Sequence, residues 1–371
     1  MDDHSPILIP AGTVFAPEDI TFWADRATRS LDDAIAEADL LVSAPHAGAA
    51  IPEELASFLA PEFTRRLQYD FTDVSTSAIV RRWAEIDHRI IVVENPHPRM
   101  LRDPNRERPA DLRATLREAF DRVRAAGPYA RVDLSGVDAV RPVTFSFYPL
   151  LSVPGSDADV DRIADAFTAV AEQGLRVYET TRDELSDRFV AKSFAEGSTG
   201  TPSAFTRLSF HDTMNTTTTV DGAVNVQRAR EDRLPAVVAL SNRGDHEGEP
   251  IGQSPVTMAP EHMRILAQTH RSAFDVADPA SVALNQPYLG SFEIIDAGVR
   301  FRTVSAEAAS LGVSLGAVQA EFLREFLLGE HNTAILQQPG TGWVEPEPEH
   351  VDHIAQACKR AWDTYRDATT D

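Results

Sequence analysis

Leu40-Leu41-Val42-Ser43-Ala44-Pro45-His46-Ala47-Gly48, followed closely by Ile51-Pro52-Glu53-Glu54-Leu55, is an apolar run that ends in a histidine and breaks at proline and glycine. A strand buried in an α/β sheet reads this way, and its carboxyl end is where such sheets place ligands. His46 is therefore the first candidate for chemistry. Taken alone, a histidine in a turn is equally well explained by one ordinary hydrogen bond.

Working outward, leucines and phenylalanines between 52 and 67 recur at helical spacing, and Tyr69-Asp70-Phe71-Thr72-Asp73 is a turn rich in capping residues that opens a second helix carrying Val74, Ile79, Val80 and Trp83. Arg89-Ile90-Ile91-Val92-Val93-Glu94 reads as the next strand. Strand alternating with helix predicts an α/β protein, a three-layer sandwich with a mixed central sheet. Three prolines keep the arginine-rich loop 95–106 out of helix. Helices are expected near 110–125, 157–174, 260–275 and 350–367, with strands at 175–178, 205–210 and 235–240. The segment 22–23 and 31–38 looks helical, 216–233 reads as a loop or hairpin, 291–303 alternates like a hairpin, and 318–328 fits either strand or helix. No repeat or linker divides the chain, so one domain over 1–371 is expected: an extension 1–38, a catalytic core 39–330 and a tail with a helix, 331–371.

A formal charge of −22 argues against nucleic acid or an anionic membrane surface as partner, since both require basic patches. No apolar run is long enough to span a bilayer and no leader pattern is visible, which predicts a cytoplasmic protein. With Cys358 alone, an internal disulfide and a cysteine-rich zinc site are excluded. The oligomeric state is not readable.

Two apolar strands end in histidine, His46 and His211, and the aspartate turn 70–73 follows the first. Two imidazoles and one carboxylate at strand ends would make a ligand set for a catalytic zinc with a position open for water. The simpler reading of Asp70 and Asp73 is helix capping, and spacing leaves open which of them would be a ligand.

Pro45-His46-Ala47-Gly48 with Ile51-Pro52, Asp73 with Ile79 and Trp83-Ala84, and Arg99 through Asp103-Pro104-Asn105-Arg106 resemble successive motifs of the N-formylglutamate amidohydrolase family. Phe210-His211-Asp212-Thr213-Met214, Asn285-Gln286-Pro287-Tyr288-Leu289-Gly290-Ser291 and the segment from Gln319 through Glu321 and Arg324 to Leu327 continue the resemblance in order. It implies a zinc hydrolase of the zinc-carboxypeptidase-like (phosphorylase/hydrolase-like) fold. By matched position His46, Asp73 and His211 would bind Zn2+, and Glu321 would be the general base. Arg99 is the candidate for steadying the oxyanion, Asn105 and Arg106 for gripping a substrate carboxylate, and Arg243 is a further anion-binding candidate. The expected substrate is a small carboxylate-bearing amide, an N-formyl or N-acyl amino acid. The alternatives are a carboxypeptidase-like hydrolase of small peptides or cell-wall amides, and a non-catalytic ligand-binding relative. Three positions depart from the family pattern. Ser209 stands where the family has an aspartate two residues before the second histidine, Asp212 where it usually has serine, and Phe147-Tyr148-Pro149 where it has Pro-Tyr-His. Loss of that aspartate predicts a changed metal environment or another partner for His211.

Overall fold

Alternate residues of the central strands face two different cores, and this alternation explains the layering. Leu41, Ile91, Val93, Phe205 and Ala317 pack into one apolar cluster, while Leu40, Val42, Ile90, Val92, Leu208, Phe210, Val318, Ala320 and Phe322 pack into another. A computed structural model describes residues 5–369. Its main sheet is built from Thr21–Phe22 (β1), Leu40–Ala44 (β2), Ile90–Glu94 (β3), Ser203–Thr213 (β4), Val238–Ser241 (β5), Val282–Leu284 (β6) and Val313–Leu323 (β7). The seven strands lie in the order β6-β5-β7-β4-β2-β3-β1. β7, β4, β2 and β3 are mutually parallel, whereas β5 runs antiparallel to β7 and β1 antiparallel to β3, so the sheet is mixed.

The longer helices are Val74–Ile86 (α1), Leu112–Ala126 (α2), Asp157–Ala171 (α3), Leu175–Ser198 (α4), Pro260–Ala273 (α5), Phe292–Thr303 (α6), Arg324–Leu336 (α7) and Pro348–Thr369 (α8). Apolar residues of α2, α3, α4 and α6 join the first cluster and those of α1, α5 and α8 the second, giving helices on both faces of the sheet. Among the described residues no helix is long and apolar enough to cross a membrane.

Several expected elements differ. Residues 175–178 are the first turn of α4: Leu175, Tyr178, Arg182, Leu185 and Phe189 bury one face at three- and four-residue intervals, a period invisible in four residues. The hairpin expected at 291–303 is α6, in which Ile294, Ala297 and Phe301 bury at helical spacing and Glu293 is buried beside them. The helix expected over 52–67 is split into a 3₁₀ helix Glu53–Phe58 and a short helix Arg65–Asp70, with Pro61 between them. Phe22 ends β1 rather than lying in a helix. Segment 318–328 is both of the things it resembled, the end of β7 and the start of α7. The hairpin in 216–233 pairs Thr216–Thr218 with Val224–Gln227.

Candidate metal centre

The parallel strands β2 and β4 deliver two histidines to one edge of the sheet. His46 lies just past the end of β2, and His211 is the ninth residue of β4, with Glu321 of β7 its register partner. Asp73 is the residue before α1, the capping position, yet its side chain makes no cap hydrogen bond. Its backbone N–H donates to the His46 carbonyl at 3.1 Å, and its carboxylate points at the imidazoles instead. His46 Nδ1 lies 3.1 Å from Asp73 Oδ2, His211 Nδ1 lies 2.9 Å from the same oxygen, and the two Nδ1 atoms are 3.2 Å apart. All three residues are buried. Asp70 is elsewhere: it closes the short helix before the turn, lines the neighbouring pocket and sits near Arg324 and Arg228, and burial pushes its carboxyl upward.

The outer nitrogens fix the inner ones. His46 Nε2 donates to Asp103 Oδ1 at 2.6 Å. Ser209 Oγ–H donates to Glu293 Oε2 at 2.8 Å, so its lone pair is free to accept from His211 Nε2–H, also at 2.8 Å. With both Nε2 atoms protonated, both Nδ1 atoms present lone pairs, and these converge with a carboxylate oxygen on one point. Three lone pairs at about 3 Å spacing in a buried site repel unless a cation sits among them. Tetrahedral ligands at roughly 2.0–2.1 Å from a metal would stand about 3.3 Å from one another, close to the triangle seen here. His46, Asp73 and His211 form a group that could hold a metal ion. The surrounding negative charge favours any cation at this point, a proton on His46 as well as a metal ion. Burial and Arg99 oppose protonation of His46, but Asp103 and Asp73 outweigh them and raise its pKa. Burial opposes ionisation of Asp73, but the two imidazoles hold it well below the ordinary carboxylate range.

Behind each ligand stands a carboxylate. Asp103 is gripped by Arg99 Nη2 (2.5 Å) and by the Asn105 N–H (2.8 Å), which leaves Oδ1 aimed at His46. Against burial, Arg99 and His46 keep Asp103 ionised. Behind His211 the partner is more remote. Glu293, on the first turn of α6, accepts from Ser43 Oγ (2.7 Å), Ser209 Oγ, Tyr178 OH (2.6 Å) and Arg182 Nη1 (2.6 Å). Ser209 thus relays to His211 the acceptor that an aspartate at its own position would supply directly. On the opposite face of β4, Arg324 ion-pairs with Asp212 and donates to the carbonyls of Tyr69, Asp70 and Thr72. Asp212 in turn accepts the Ser75 N–H at 3.0 Å. Together they hold the turn that presents Asp73.

The remaining candidates fall into two groups. Arg99 is at the centre: Nη1 lies 3.6 Å from Asp73 Oδ1, and Nε is buried without a partner among the described residues. Glu321 stands beside His211 across β4 and β7, its carboxylate accepting from Thr213 Oγ1 (2.7 Å) and Gln319 Nε2 (3.0 Å). Asn105 is buried against the cluster, its Oδ1 accepting from the Glu293 N–H (3.0 Å) and its Nδ2 lying 3.3 Å from His211 Nε2 and 3.4 Å from Gln319 Oε1. Arg106 is committed to Asp138 at 2.7 Å. Arg243 is not brought to the cluster. Because β5 runs antiparallel to β7, with Val238 opposite Phe322 and Ser241 opposite Gln319, the loop after Ser241 leads away from the edge where Glu321 stands. There Arg243 Nη1 donates to the Gly290 carbonyl at 2.8 Å.

Fold and site define a mixed α/β protein with a buried His-Asp-His cluster at the carboxyl edge of its parallel strands. Residues 38–187 match the model of the N-formylglutamate amidohydrolase family, the family that the sequence motifs resemble. Among solved structures, the crystal structure of N-formylglutamate amidohydrolase from Ralstonia eutropha JMP134 aligns with 94% of this chain and 98% of its own, at 18% identity and a TM-score of 0.49. No curated protein matches.

Proposed function

We propose that the chain, acting as one hydrolase domain of the zinc-carboxypeptidase-like class, is a metal-dependent cytoplasmic amidohydrolase that cleaves the amide of an N-formyl or other N-acyl amino acid. The observation that carries this reading is the convergence of the His46 and His211 Nδ1 lone pairs with Asp73 Oδ2 on one buried point. A nitrogen-rich set of this size suits zinc, which when bound polarises an amide carbonyl and acidifies water. Glu321, in register with His211, takes a proton from the attacking water as its oxygen bonds to the acyl carbon. It then delivers that proton to the departing amine nitrogen as the C–N bond breaks. The Arg99 guanidinium, with Nη1 3.6 Å from Asp73 Oδ1 and Nε without a partner among the described residues, stabilises the oxyanion of the tetrahedral intermediate. Asp103 and Ser209 hold the two imidazoles in the tautomer that aims Nδ1 inward.

The test is hydrolysis of N-formylglutamate and a panel of N-acyl amino acids and small peptides, before and after chelation, with metal content measured in parallel. Chelation is expected to abolish turnover and added Zn2+ to restore it. Glu321→Gln is expected to lower kcat by about a hundredfold or more while the metal stays bound. Turnover by fully metal-free protein would overturn the mechanism, and an active Glu321→Gln enzyme would remove Glu321 from its role.

A further inference from the structure

The pocket that opens onto Asp73 is walled by Phe71, Phe145 and Met214 and carries three guanidiniums, Arg99, Arg228 and Arg324. Two of these are neutralised by partners already described. Arg99 is bound to Asp103 and Arg324 to Asp212. Arg228, just after the hairpin strand Val224–Gln227, is different. Among the described residues its side chain makes no ion pair, and its single hydrogen bond runs from Nη1 to the phenolic oxygen of Tyr288 at 2.8 Å. Its backbone is fixed by donation from its N–H to the Asn215 carbonyl at 2.9 Å. Tyr288 is itself anchored, with its carbonyl accepting from Ser241 Oγ at 2.7 Å. One end of the guanidinium is therefore positioned while Nε and Nη2 remain free, the edge with which arginine grips a carboxylate through two parallel hydrogen bonds.

Such a cation is out of keeping with this chain, in which 57 acidic side chains face 35 basic ones. Of the two acids that line the pocket, Asp73 faces the imidazoles and Arg99, and Asp70 makes no ion pair with Arg228 among the described residues, while burial pushes its carboxyl upward. A second under-neutralised arginine lies close by. Arg141 stacks on Phe145 at 4.7 Å, donates only to the carbonyls of Val143 and Thr144, and is pulled down to about 10 by burial and by Arg99. The pocket beside the metal cluster thus has positive charge to spare, a mostly polar lining with Phe71, Phe145 and Met214 set into it, and one pre-positioned guanidinium.

We infer that Arg228, held by Tyr288, is the anchor for the free carboxylate of the substrate, making this site selective for N-acyl amino acids that carry their acid groups unmodified. This rests on the reading of the site as an amidohydrolase centre and moves carboxylate recognition from Arg106, which is engaged by Asp138. The role is one of binding, so it is read in KM and in ligand affinity more than in kcat.

The experiment compares the wild type with Arg228→Gln, Arg228→Lys and Tyr288→Phe, each checked for folding by circular dichroism. Calorimetry measures the affinity for glutarate, a dicarboxylate that needs no turnover. Kinetics compare N-formylglutamate with its uncharged diamide. Arg228→Gln is expected to weaken glutarate binding and raise the KM for N-formylglutamate by about tenfold to a hundredfold, with kcat little changed and the diamide unaffected. Arg228→Lys should retain part of the affinity, and Tyr288→Phe should lose less than Arg228→Gln. Glutarate affinity unchanged in Arg228→Gln, or equal losses toward the acid and the diamide, would overturn the assignment. If the wild type hydrolyses no N-acyl amino acid, the amidohydrolase reading fails while glutarate binding still decides on Arg228. Binding lost in Arg228→Gln upholds the anion site, and no binding by the wild type overturns it.

Discussion

β4 carries a buried charge cluster on each of its faces, and the two treat a carboxylate in opposite ways. On the face of Ser209 and His211, Glu293 is surrounded by Arg182 and by the hydroxyls of Ser43, Ser209 and Tyr178, with Arg207 nearby. Burial works against its charge, but the two arginines and the hydroxyl donors outweigh burial and pull its pKa down to about 2. On the other face, Asp212 has one guanidinium, Arg324, and must also face the negative charge of Asp73 and Glu321. There burial wins, and the Asp212 carboxyl is pushed upward. Both carboxylates are buried, so depth does not decide the outcome. The number of cations and donors per carboxylate does. The Glu293 side is a fixed anion that can orient an imidazole; the Asp212 side is a brace shared between an arginine and the turn bearing Asp73.

Replacing Glu293 by Gln should break this contrast with the largest effect. It leaves Arg182 and Arg207 buried without their common anion, at a cost of about 3–5 kcal/mol in chemical denaturation at pH 7. The sign of the pH dependence follows from the depressed pKa. The Glu293 contribution is complete above its ordinary value of 4.5 and is lost as pH falls through about 2. The stability gap between wild type and Glu293→Gln should therefore be widest above about pH 5 and narrow toward pH 2. A gap independent of pH would mean that Glu293 is not held as the anion.

Asp212→Asn should cost less, about 1–2 kcal/mol at pH 7, because burial already works against the Asp212 charge and Arg324 keeps three carbonyl acceptors. A loss equal to that of Glu293→Gln would erase the difference between the faces. The smallest effect on stability is expected from Ser209→Ala, about 1 kcal/mol, with metal affinity falling about tenfold as His211 Nε2 loses its acceptor. Competition against a chelator measures that affinity directly, and Ser209→Asp, which supplies the carboxylate at short range, should recover it. Unchanged affinity in Ser209→Ala would uncouple Glu293 from the centre.

The sequence was most legible where a strand and its site residue are adjacent in the chain. The apolar runs before His46 and His211 predicted β2 and β4, and the turn 70–73 was correctly paired with the first of them. Choosing Asp73 over Asp70 needed the family register, because an aspartate at either position suits a helix cap and only the folded chain shows that the Asp73 side chain makes no cap hydrogen bond. Ser209 was visible as a departure, but its compensation was not. Glu293 lies 84 positions away, on a helix whose short apolar alternation resembled a hairpin. The surroundings of Arg106 and Arg243 depend on features no local pattern encodes: an acid from another loop in one case, the direction of β5 in the other. Arg228 gave no signal because an arginine after a polar hairpin resembles any solvated charge.

The placement of β7 between β4 and β5 also bears on how the protein is made. His46, Asp73 and Asp103 leave the ribosome early, yet Glu321 belongs to the last strand synthesised, which must insert into the middle of the sheet rather than add to its edge. At about 5–20 residues per second, the 110 positions from His211, which completes the histidine pair, to Glu321 (321 − 211) take roughly 6–22 s to translate. During that interval β4 has no neighbour on the β7 side, and its backbone is an open pairing edge. The nascent chain therefore passes through a stage in which the histidines of the centre are present but the strand that completes it is not, and the period of aggregation risk coincides with the period without a finished site.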